Sequence, residues 1–124
     1  DGWERATAAE PGFDLVVSGV VGQRSGLILY GASGSQAVPW SSGSSFLCVK
    51  APQQRTGPQS SGGTAGACDG SFALDFNAYL ASHPTALGQP FSSIASVWAQ
   101  AWFRDPSAPL GSNLSDAVSF DVCP

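Results

Sequence analysis

"VWAQAWFRDP", Val97–Pro106, is the stretch whose reading decides the fold. Two of the four tryptophans stand in it. With a period of two, Val97, Ala99, Ala101 and Phe103 fall on one side, and Trp98, Gln100, Trp102 and Arg104 on the other. Alternation sustained over this length predicts a β-strand, the longest of the chain. Small alanines suit a close sheet-to-sheet contact, so the Val–Ala–Ala–Phe side is expected to face the core. The Trp–Gln–Trp–Arg side is then the outer or partly covered one, with at least one of its tryptophans largely buried.

The flanking sequence supports strands throughout. "FDLVVSGVVG" (Phe13–Gly22) and "SGLILYG" (Ser25–Gly31) are β-rich, and the short link between them predicts a hairpin. "AVPW" is expected at a sheet edge, because Pro39 cannot donate to a ladder. "SFLCVK" is a strand, "QQRTGPQ" a broken one, and "SSGGTAGACDG" a small-residue loop. "SFALDF" alternates, and "NAYLASHP" predicts one helical turn with Asn77 as its cap, ended before Pro84. "DAVSFDVC" (Asp116–Cys123) is the last strand. Seven or eight short strands separated by turn signals predict an all-β fold, an antiparallel β-sandwich. Residues 13–124 form its single domain, and residues 1–12, polar apart from Trp3, read as an N-terminal extension or linker.

Composition narrows the class. The chain has 124 residues, enough for one core. Hydrophobic residues make up 43% and charged residues 11%, and 15 glycines and 9 prolines supply frequent turns. Net charge is −4, with Lys50 the only lysine and no basic stripe, which argues against nucleic-acid binding. No apolar run is long enough for a membrane span. The sequence lacks methionine and starts at Asp1, and is read as a mature or excised chain.

Three cysteines, Cys48, Cys68 and Cys123, show no zinc-ligand spacing. In an exported domain a Cys48–Cys68 disulfide is favoured over Cys48–Cys123; it would close a loop of about 20 residues, worth ~3 kcal/mol by chain entropy. A calcium site at Asp105, Asn113 and Asp116 is open, against the simpler reading that these residues cap turns. No cofactor is required. Asn113–Ser115 has the form of a glycosylation sequon. Catalytic chemistry is hard to assemble. His83 is the only histidine and falls in a turn, no G-x-S-x-G elbow occurs, and no aspartate has a second acid beside it in an aromatic segment.

Four segments together carry a resemblance: "GLILYG", "FLCVKAPQQRTGPQSSGGTAGACDGSFALDFNAY", "VWAQAWFRDP" and "NLSDAVSFDVCP". Over residues 13–124 the chain resembles a family of C-terminal β-sandwich domains in exported proteins of planctomycetes, myxobacteria and related bacteria. The resemblance implies export and a strand-rich fold. It brings no catalytic residues and no molecular function.

Two functions compete. The first is a non-catalytic extracellular structural or adhesive module, a fibre or cell-surface subunit that pairs with copies of itself or other cell-surface proteins. Its extension, carrying Trp3, would add to a neighbour's open sheet edge. The second is a carbohydrate-binding module in which Trp40, Trp98 and Trp102 stack on polysaccharide while Gln100 and Arg104 supply hydrogen bonds. An enzyme ranks below both.

Overall fold

The computed structural model describes residues 5–7, 13–43, 45–91 and 93–123. Its central strand, β9 (Ala95–Arg104), is the one the Val97 alternation predicts, and it is the longest. Val97, Ala99 and Ala101 are buried, and Phe103 packs against the same core. Strand β3 (Ser25–Gly31) pairs with it antiparallel, from Gly26 opposite Phe103 to Gly31 opposite Trp98. On the other flank β11 (Val118–Cys123) and β10 (Ser112–Leu114) share its length. Two-residue strands β6 (Gln54–Arg55) and β7 (Gln59–Ser60) extend the sheet beyond β3. The break between them at Gly57–Pro58 is the one the sequence predicts.

The far edge holds a departure from expectation. Arg5–Thr7 forms strand β1, which pairs parallel to β11 with Arg5 opposite Asp121 and Thr7 opposite Cys123. Part of the extension therefore belongs to the sheet.

A second layer, β2 (Asp14–Val20) with β8 (Gly70–Asp75), lies over the alanine side of β9. Leu15, Phe72, Phe76 and Leu80 meet Ile28, Tyr30, Val97 and Phe120 in one buried cluster. Aromatic rings join the layers edge to face: Phe76–Phe120 at 5.0 Å and 79°, Tyr30–Phe76 at 5.1 Å and 85°. That geometry sets ring edges against ring faces and adds to simple burial. The Tyr30 hydroxyl donates to the Leu87 carbonyl at 2.8 Å, so the most buried phenol still has its partner. Burial, with a smaller contribution from Tyr79, pushes its ionisation above the ordinary tyrosine range.

The hairpin expected between the first two long strands does not form. β2 pairs with β8 while β3 pairs with β9, so the chain crosses between layers at residues 21–24. The crossing is claimed by the small-residue loop: Gly22 N–H donates to Ala67 C=O at 2.8 Å, and Gln23 N–H to Gly62 C=O at 2.7 Å. A Cβ at Gly22 would stand 2.2 Å from the Thr64 carbonyl oxygen, which is why the loop demands glycine there.

Helix α1 (Phe76–Ser82) follows β8, and its cap is Asp75, not Asn77. The Asp75 carboxylate accepts from Ala78 N–H at 3.0 Å, whereas Asn77, two residues on, is buried inside the helix. The strand simply ends one residue earlier than its alternation suggests, and Phe76 serves both patterns.

Strand β4 (Ser35–Trp40), a 3-10 turn at Ser41–Gly43 and β5 (Ser45–Val49) form a hairpin. Pro39 sits on the edge strand, as expected of a residue without an N–H. The whole is an all-β, sandwich-like fold of mainly antiparallel strands with one helix.

Gly26 marks a tight contact within and between layers: an added Cβ would lie 2.5 Å from the Trp102 carbonyl oxygen and 2.7 Å from the Phe72 ring. Gly26→Ala is expected to lower unfolding free energy by about 1–3 kcal/mol, the usual cost of overpacking. Urea denaturation followed by tryptophan fluorescence measures it, and an unchanged midpoint would refute the packing assignment.

Candidate functional site

The Trp–Gln–Trp–Arg side of β9 is covered by the β4–β5 hairpin, and Gln100 is the reason. Its side chain is 2% exposed. Oε1 accepts from Cys48 N–H at 2.8 Å, and Nε2 donates to Ser115 C=O at 2.8 Å and to Phe46 C=O at 3.2 Å. One amide thus joins β5, β9 and the segment entering β11. Gln100, expected as a ligand or subunit contact, has its amide bonded to backbone groups of its own chain.

Serines complete the attachment. Ser41 Oγ donates to Ser112 C=O at 2.6 Å, Ser45 Oγ to Asn113 Oδ1 at 2.6 Å, and Trp40 Nε1 to Ser112 Oγ at 3.2 Å. Sequence reading missed these serines because a serine-rich turn looks like solvent-exposed loop. No local pattern distinguishes Ser41, which is buried, from Ser42, which is not.

Trp40 and Trp102 are brought together across a cleft of about 70 Å³, with Leu29, Leu47 and Leu114. Trp98 and Trp102 are both partly buried, and Trp98 stands opposite Gly31 and Ser119. The Arg104 guanidinium lies 5.4 Å from the Trp102 ring centroid, a cation–π contact that covers one stacking face. Trp3 lies outside the described residues.

The calcium set does not converge. Asn113 Nδ2 donates to Asp105 Oδ2 at 3.0 Å and Ser107 Oγ to Asp105 Oδ1 at 2.8 Å, so this carboxylate fastens the turn after β9. Those bonds, Ser107's first and Asn113's second, hold the Asp105 carboxyl below its usual range. Asp116 instead lines a separate groove of about 280 Å³ beside β2. Among the described residues no group of three or more His, Cys, Asp or Glu side chains is placed to hold a metal.

The expected Cys48–Cys68 disulfide is absent; both are free thiols. Cys48 is fixed in β5 through its bond to Gln100, while Cys68 is exposed in the loop packed on Gly22, so each is committed to a different substructure. The Cys123 side chain lies outside the description. His83 stacks on Tyr79 at 4.0 Å and closes the helix end, its Nδ1 2.9 Å from the Tyr79 carbonyl oxygen. Asn113, the sequon residue, is engaged through both ends of its amide.

Compared with known proteins, the chain matches no family model, no curated protein and no solved structure.

Gln100→Ala is expected to cost about 1–3 kcal/mol, because it strands a part-buried N–H and two part-buried carbonyls. Amide exchange at Cys48 should accelerate beyond the global loss of stability; uniform acceleration across β3 and β9 as well would refute the hairpin-fastening role. Asp105 makes a second prediction. A carboxyl lowered in the folded state stabilises fully above the unfolded aspartate pKa, and that contribution disappears as pH falls through the lowered value. Asp105→Asn should therefore flatten part of the acid limb of a melting-temperature profile while leaving its shape near neutrality. An identical acid limb in both proteins would contradict the assignment.

Proposed function

We propose that the chain is a non-catalytic, extracellular structural or adhesive module that joins copies of itself, or other cell-surface proteins, by strand pairing through its N-terminal residues. The observation that supports this most is β1: Arg5, Ala6 and Thr7 pair in parallel with Asp121, Val122 and Cys123. Backbone pairing of this kind needs no particular side chains, so the same residues of a neighbouring copy fit the same edge. A head-to-tail contact of that sort propagates into a filament if it does not close into a ring. The low charge content, 11%, favours association over dispersal. The resemblance to exported domains supports the extracellular setting.

A second reading, carbohydrate binding, rests on the convergence of Trp40 and Trp102 on one cleft. The small cleft, the buried Gln100 and the Arg104 cover over Trp102 give it less support.

Size-exclusion chromatography with light scattering and negative-stain microscopy separate the readings. The 124-residue chain is expected to form oligomers or filaments, and residues 13–124 alone to remain monomeric, also when a free peptide of residues 1–12 is supplied, since that peptide fills the β11 edge without bridging two copies. The same state with and without the extension would overturn the proposal. Retention on insoluble polysaccharide, lost in Trp102→Ala, would establish the second reading instead.

A further inference from the structure

The β2–β8 pair has two outer edges, and the fold treats them differently. Phe76 N–H donates to Phe13 C=O at 2.9 Å, in register with Asp14 opposite Asp75. Opposed residues of an antiparallel pair alternate between exchanging hydrogen bonds and not doing so. Leu15 and Val17 therefore bond to Leu74 and Phe72, and Ala73 and Ser71 turn their backbone groups away from β2. Those groups are taken: Gln59 Oε1 accepts from Ala73 N–H and Gln59 Nε2 donates to Ala73 C=O, both at 3.0 Å, while Ser71 N–H donates to Ser61 C=O at 2.8 Å. The β8 edge is closed.

By the same alternation, Asp14, Val16 and Ser18 turn their N–H and C=O groups away from β8. Among the described residues β2 pairs with no other strand. This edge runs along the 280 Å³ groove, which is lined by five consecutive residues of β2, Asp14 to Ser18. Lining by consecutive rather than alternate residues identifies an edge rather than a face. Val16 and Val118, 64% and 48% exposed, give the groove its apolar surface, above a floor that includes the buried Ile28 and Ala99. Asp14 and Asp116 line it, while no lysine, arginine or aromatic ring does so among the described residues.

We propose that this groove binds an extended basic peptide segment of another protein, added as a strand to β2. Backbone groups of Asp14, Val16 and Ser18 supply the ladder, the apolar surface takes every second side chain, and Asp14 and Asp116 select lysine or arginine. The absence of aromatic lining disfavours a sugar. The chain's own extension is a poor occupant: it carries Asp1, Glu4 and Glu10 against Arg5 alone. The site is thus separate from the β1–β11 contact and stands or falls without it.

The test uses the full chain and a fluorescein-labelled peptide, acetyl-Lys-Val-Lys-Val-Thr-Val-Lys-amide, with an otherwise identical peptide bearing Glu for Lys as its counterpart. Fluorescence anisotropy is expected to show saturable binding of the basic peptide, weakened by salt, and none of the acidic one. Val16→Pro removes an edge N–H on the side where proline is tolerated, and should weaken binding about tenfold, the worth of one interstrand hydrogen bond, without lowering the melting temperature. Asp116→Lys, in an exposed segment outside the strands, should weaken it with the backbone edge intact. No binding to the wild-type chain, equal binding of the acidic peptide, or wild-type affinity in both variants would each overturn the proposal.

Discussion

One side-chain amide decides the architecture of this protein. Gln100 stands at the centre of the longest strand with Ala99 and Ala101 on either side, and the two directions of that strand lead to different worlds. The alanines face a dry cluster of aromatic and aliphatic groups. Gln100 faces three backbone groups that belong to β5 and to the entry into β11. A buried amide is stable only when its donors and acceptor are met, so the hairpin must sit where it does or the amide must return to water. Without it, the outer leucines and tryptophans of the sheet would have no cover.

The same constraint changes what the tryptophans mean. Trp40 and Trp102 look like a stacking platform when only their spacing is known. Once the hairpin that carries Trp40 is fastened beside Trp102, the two wall one cleft, and Arg104 lies across a face of the Trp102 ring. Both proposed contacts use backbone chemistry at sheet edges, where β1 meets β11 and where β2 stands beside its groove. A chain with few charges and one histidine is suited to that kind of contact, which depends on register and shape.

Much of the fold was legible in the sequence because strands with one buried face write their period openly. β3 and β9 fall where turn glycines and alternation place them, and β6 and β7 break at the expected Gly–Pro. Pairing was less legible. Proximity in sequence argued for a β2–β3 hairpin, yet residues 21–24 are captured by a loop some forty residues later, as in the bond from Gln23 Nε2 to Gly63 C=O. The helix cap slipped by two positions because Phe76 satisfies both the strand and the helix pattern. The candidate site was least legible. Gln100 reads as polar, and polarity in a strand ordinarily signals solvent; only the position of Cys48, Phe46 and Ser115 turns it inward. The serines at 41 and 45 are silent for the same reason.

The closure of the β8 edge has a consequence for how the fold tolerates change. Gln59 lies outside β8, yet its terminal amide offers one acceptor and one donor to Ala73 just as a neighbouring backbone would. It is a counterfeit peptide group, a strand reduced to one residue. Such a seal occupies no length of chain and needs no hairpin to deliver it. It is also held by a single codon: a change there frees the Ala73 backbone groups, while the Ser71–Ser61 bond, the core and the period of every strand stay as they are.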